Sequence, residues 1–109
     1  MDSWDLTTLD VPVHKPAILK SEDGVARTIA VNLPAGDTLQ DHEVHEHAYV
    51  IVASGELEID HGGGTLTAGP GTVAHFEPHE RHAVRATQDT RFMILLAPWP
   101  GEGHPSRKP

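Results

Sequence analysis

The residues of this chain with the most chemical potential fall in two clusters. The first is Asp41-His42-Glu43-Val44-His45-Glu46-His47, and the second is His75-Phe76-Glu77-Pro78-His79-Glu80-Arg81-His82. Only His14 and His104 lie far from them, with His61 in a turn between. Neutral imidazole is the commonest protein ligand for transition metals, and it also titrates near neutrality. The chain has no cysteine, so any metal must be held by nitrogen and oxygen. His82 with two or three of His42, His45, His47 and Glu46 would make such a set. On a strand, His42 and Glu46 share one face, and His45 and His47 share one face. Mixed charges at Asp41, Glu43 and Glu46 equally suit a solvated strand end.

Short strands must position these groups. Val25, Ile29, Val31 and Leu33 alternate on one face, with Arg27 interrupting, and Pro34-Ala35-Gly36-Asp37 closes the segment with turn chemistry. Tyr49 to Ala53 is an apolar, β-branched run. With the Ser54-Gly55 turn and the alternating Glu56 to Asp60, it reads as a hairpin. Further turns at residues 61–64, 68–71 and 77–80 separate segments at 65–67, 72–76 and 81–86, and residues 91–97 form a last apolar strand. No window offers an amphipathic helix of ten residues. Strands at this spacing predict an all-β sandwich or barrel. On this basis residues 1–16 are a polar N-terminal arm, 17–98 the barrel and 99–109 a flexible C-terminal tail rich in Pro and Gly, whose Trp99 can dock on the barrel.

Composition narrows the function classes. A chain of 109 residues holds one domain. The net charge of −8 argues against nucleic acid as a partner. No apolar run approaches the ~20 residues of a membrane span, and the first five residues lack the regions of a signal peptide, so a cytoplasmic location is expected. Glycines 62–64 precede neither a helix nor a lysine and make no phosphate loop. Val50, Val52, Val84 and Met93 are expected to line an apolar interior. Arg81 and Arg85 share the face opposite His82 and Val84, so both should point outward. His75 shares a face with Val73, opposite Ala74 and Phe76. It reads as an ordinary core or surface histidine, and His79 as a solvated turn residue.

The order of residues resembles the cupin superfamily, whose motifs run G-x5-H-x-H-x3–4-E-x6-G and G-x5-P-x-G-x2-H-x3-N. Gly36, His42 and Gly55 follow the first; Gly71 and His82 keep the length of the second, with Glu77-Pro78 between them, over roughly residues 30 to 97. The resemblance implies a small jelly-roll β-barrel (a double-stranded β-helix), often a homodimer, with one metal inside. The motif-two ligand carries over to His82, although His79 stands for the usual Gly and Ala86 for the Asn. In motif one, counting back from Gly55 puts the family's Glu at Ala48 and its histidines at His42 and Val44. One extra strand residue would instead move His47 into the third-ligand place. The expected ligands are His82 and, from the first cluster, His42, His45 and His47 as open alternatives with Glu46, holding Fe, Mn, Ni or Zn.

Two functions follow from the resemblance. One is a metal-dependent dioxygenase or isomerase acting on a small molecule, with Glu46 or His45 as a spare ligand or base. The other is a non-catalytic, ligand-binding or regulatory cupin with a degenerate site. A dimer whose N-terminal arm crosses to its partner is a third, structural reading.

Overall fold

The structure is a computed structural model that describes residues 1–105, apart from the side chains of residues 40–42. Nine strands form it: β1 (Ala17–Glu22), β2 (Ala26–Leu33), β3 (Thr38–His42), β4 (His47–Ser54), β5 (Leu57–Asp60), β6 (Thr65–Ala68), β7 (Val73–Phe76), β8 (His82–Ala86) and β9 (Thr90–Ala97). All pairings are antiparallel. One sheet has the order β1-β2-β9-β4-β7 and the other β3-β8-β5-β6. Strands distant in sequence are neighbours in space, which is the crossed connectivity of a jelly roll. No helix among the described residues is long and apolar enough to cross a membrane.

The core lies between the sheets. Val31 and Leu33 from β2, Ala48, Val50 and Val52 from β4, and Phe92 and Leu96 from β9 face Leu57, Ile59, Val84 and Ala86 of the second sheet. Fully burying each Val or Leu side chain contributes roughly 1.5–3 kcal/mol. Val50, Val52 and Val84 are interior as expected, but Met93 is not. It pairs with Ile51 and Ala30, in the alternate positions to the core residues Phe92, Val52 and Val31. The apolar run at 49–53 thus serves two faces, and period-2 alternation decides which residues enter the core.

The expected hairpin does not form. β4 belongs to the first sheet and β5 to the second, so Ser54-Gly55-Glu56 is a crossover. The segment between β8 and β9 holds it in place. Glu56 donates its amide to Thr90 Oγ1 at 2.9 Å, and Thr87 donates its own amide to the Glu56 carbonyl at 3.0 Å. Gly55 has φ 88°, and a Cβ there would fall on Asp89 O and Thr90 Oγ1.

The N-terminal arm folds back on its own chain. Arg91 donates to the carbonyls of Leu6 and Leu9, Asn32 donates to the Val11 carbonyl at 3.2 Å, and Val11 is buried. Lys20 hydrogen-bonds Asp2 at 2.8 Å. That bond and the attraction between the charges hold the Asp2 carboxyl below its ordinary value and raise Lys20. Arg85 points outward to Glu58 at 2.9 Å, and Arg81 is exposed.

Two glycines separate conformation from crowding. Gly36 also has positive φ, but a Cβ there meets nothing within 4 Å. Gly36→Ala should cost only the left-handed penalty of about 1–2 kcal/mol. Gly55→Ala adds steric overlap and should cost about 3 kcal/mol or more. Urea denaturation of the two variants measures the difference, and equal losses would show that the crossover is not crowded.

Candidate functional site

Three regions of the barrel gather histidines, and strand alternation separates them. In β4, Ala48, Val50 and Val52 are buried while His47, Tyr49 and Ile51 are half-buried. Ala48 pairs with Phe76 and Tyr49 with His75 on the edge strand β7, so His47, Tyr49 and His75 face away from the core. There His47 Nδ1 lies 2.9 Å from His75 Nε2 and 3.6 Å from Glu77 Oε2. The rings of His47 and His75 lie edge to edge at an interplanar angle of 18°, with centroids 5.1 Å apart, and His75 leans on Tyr49 at 4.8 Å. One ligand atom from each of His47, His75 and Glu77 lies within 4.8 Å of the others, so the group is able to hold a metal ion.

His82 lies on the other side of this sheet, inside the barrel. It is 5% exposed and stacks flat on Phe76, with centroids 4.0 Å apart and an interplanar angle of 12°. Its Nδ1 is 3.2 Å from the Glu80 carbonyl. A carbonyl only accepts, so Nδ1 carries the hydrogen in this contact. His42 pairs with His82 in the backbone register of β3 and β8. The side chain of His42 lies outside the described residues.

The third region is the end of the barrel where β4 begins and β7 and β9 finish. Glu46, 1% exposed, accepts the Gly101 amide at 2.7 Å. This fixes the segment after β9 across the opening. Gly101 is buried, and a Cβ on it would fall on the His45 carbonyl. The Gly24 amide donates to the Trp99 carbonyl at 2.7 Å, and Arg27 lies 4.0 Å over the Trp99 ring. His45 meets the edges of His79 at 5.0 Å and His104 at 5.6 Å, and its Nδ1 is buried without a hydrogen-bond partner among the described residues. A hollow of about 220 Å³ remains between His45, Glu46, His47, Pro78, Pro98 and Gly101. His79 adopts φ 67° and donates its amide to Val44 O at 2.8 Å, making the left-handed turn that a glycine would make more easily.

Of the expected ligands, His45, His47 and His82 are not gathered as one group, and the side chain of His42 lies outside the described residues. His82 is inside, His47 is on the outer face, and His45 is at the mouth. His75 and Glu77, absent from that set, are the described partners of His47. Period 2 already put His75 beside Val73 and opposite Phe76; the missing information was that β7 lies next to β4. His104 reaches His45 because the chain after β9 turns back over the barrel, for which no local pattern gives a signal.

Residues 30–98 match the Cupin domain family. No curated protein matches the chain. Among solved structures, it is similar to an RmlC-like cupin protein from Desulfovibrio desulfuricans, with 24% identity and a TM-score of 0.76, covering 90% of this chain and 97% of that one. A cupin superfamily protein from Desulfitobacterium hafniense aligns with 13% identity and a TM-score of 0.75, covering 84% of each chain. KdgF from Halomonas sp. aligns with 19% identity and a TM-score of 0.67, covering 74% of this chain and 76% of that one. At these identities the likeness shows the fold.

The contact between Glu46 and Gly101 makes the mouth testable. Glu46→Ala leaves the Gly101 amide without its acceptor, at a cost of about 1–3 kcal/mol. The segment should lift, so amide exchange at residues 99–105 should accelerate while the β4 and β9 amides stay protected. Unchanged exchange at Gly101 would show that Glu46 does not hold it.

Proposed function

This chain belongs to the cupin family, and on that premise we propose that it acts on a small molecule inside the barrel, at a metal site centred on His82. The observation that carries the reading is the fixed ring of His82. A metal-binding histidine commonly donates its second nitrogen to a backbone carbonyl, which sets the tautomer and aims the ligating lone pair. The Glu80 carbonyl meets His82 in that way, inside the barrel and against Phe76.

His82 would hold the ion through Nε2 and His42, its neighbour in backbone register, would be the second ligand. This nitrogen-based set suits Fe, Mn, Ni or Zn. Once bound, such an ion would supply Lewis-acid polarisation to a small carbonyl or enol compound, the chemistry of a dioxygenase or isomerase. The chain's own contribution is placement and exclusion of water. Phe76 covers one face of His82, Val50, Val52 and Val84 make the interior apolar, and the segment held by Glu46 narrows the opening.

A second reading, a ligand-binding or regulatory cupin without catalysis, has one observation in its favour. Ala48, at the family's glutamate place, is buried and offers no donor, while the nearby carboxylate of Glu46 is engaged by Gly101.

Metal analysis of the untagged protein separates the readings. The metal-dependent reading expects about one equivalent of a transition ion to co-purify and to be lost in His82→Ala. Negligible metal that is unchanged in His82→Ala would overturn it. The second reading then requires a small ligand that raises the melting temperature without being turned over.

A further inference from the structure

On the outer face, away from His82, we propose a second, exchangeable transition-metal site formed by His47, His75 and Glu77. Three features support it. First, the ligands come from both strands of one ladder: His47 opens β4, and His75 and Glu77 lie in and just after β7. Second, the donor atoms converge. His47 Nδ1 faces both His75 Nε2 at 2.9 Å and Glu77 Oε2 at 3.6 Å, whereas isolated surface histidines turn their nitrogens to water. Ligands on a tetrahedral ion with bonds of ~2.0–2.2 Å sit about 3.4 Å apart, so the two nitrogens must part by about half an ångström and the rings must turn their lone pairs toward a common point to admit one. Third, the rings are restrained, since Tyr49 braces His75 and the His47 and His75 rings meet nitrogen to nitrogen at an interplanar angle of 18°.

The chemistry of the donors selects the ion. Two imidazoles and one carboxylate suit Zn²⁺, Ni²⁺ or Cu²⁺ better than Ca²⁺ or Mg²⁺, which favour oxygen. One hydrogen now lies between the facing nitrogens. To coordinate an ion both facing nitrogens must present lone pairs, so that hydrogen moves to the far nitrogen of its own ring. Three protein ligands leave a fourth position for water or an exogenous donor. The ion would also tie the edge strand β7 to β4, which raises stability by mass action.

The site does not depend on the barrel interior, and its test keeps the two apart. Untagged protein is stripped with chelator and dialysed against Zn²⁺, for the wild type and for His75→Ala, Glu77→Gln and His82→Ala. The proposal expects His75→Ala to bind one equivalent fewer than wild type and Glu77→Gln to bind more weakly. The outer equivalent should survive in His82→Ala, and any further equivalent lost there belongs to the interior. Long-range ¹H–¹⁵N spectra should show the ring nitrogens of His47 and His75 moving on Zn²⁺ addition. Melting curves of the metal-free variants check that each is folded. Wild type and His75→Ala with equal Zn²⁺ content, or ring signals of His47 and His75 that ignore Zn²⁺, would overturn the proposal and leave the group as a surface hydrogen bond.

Discussion

The register of β4 between β7 and β9 is the constraint on which the placement of the chemical groups depends. Hydrogen-bonded on both edges, β4 presents Ala48, Val50 and Val52 to the core and His47, Tyr49 and Ile51 to the outside. A slip of one residue would exchange the two faces and send every buried valine of the strand to the exterior. Two such valines represent roughly 3–6 kcal/mol of burial, a large part of the stability of a domain this size. The apolar residues therefore set the register, and His47 turns outward as a consequence.

The same alternation on β7 and β8 completes the separation. Phe76 points in and meets His82; His75 points out and meets His47. Two histidines of the second cluster thus serve opposite sides of one sheet. The third, His79, holds a left-handed turn and joins His45 at the mouth. A cluster that is continuous in sequence is divided among three environments, and each pairs with part of the other cluster.

The mouth is organised by a buried carboxylate. Glu46 lies just ahead of the strand, in phase with its inward positions, and is almost fully enclosed. A buried polar group without partners is costly, and the Gly101 amide supplies one. Arg27 over Trp99 and the Gly24 amide on the Trp99 carbonyl hold the same segment from the other side. The return of the chain after β9 is thereby linked to the first histidine cluster, bringing His104 to His45.

Much of this was legible in the order of residues. Alternation at 25–33, the apolar run at 49–53, the turn residues near Gly36, Gly55 and Gly71, and the spacing from Gly71 to His82 led to an all-β jelly roll and the cupin family. These are local signals, and the strand period needs no knowledge of neighbours. What local order could not decide was which strands become neighbours. Ser54-Gly55 looks the same in a hairpin and in a crossover; only packing against Asp89 and Thr90 distinguishes them. Met93 and Phe92 are equally apolar, and their faces follow from pairing with β4 and β2. By itself, the sequence determined the element types, the turns and the presence of inward and outward faces, because these depend on chirality and on a two-residue period. The partners of each histidine were decided by the tertiary structure, because contacts across β4–β7 and β3–β8 join residues far apart in the chain, where no local spacing specifies a distance.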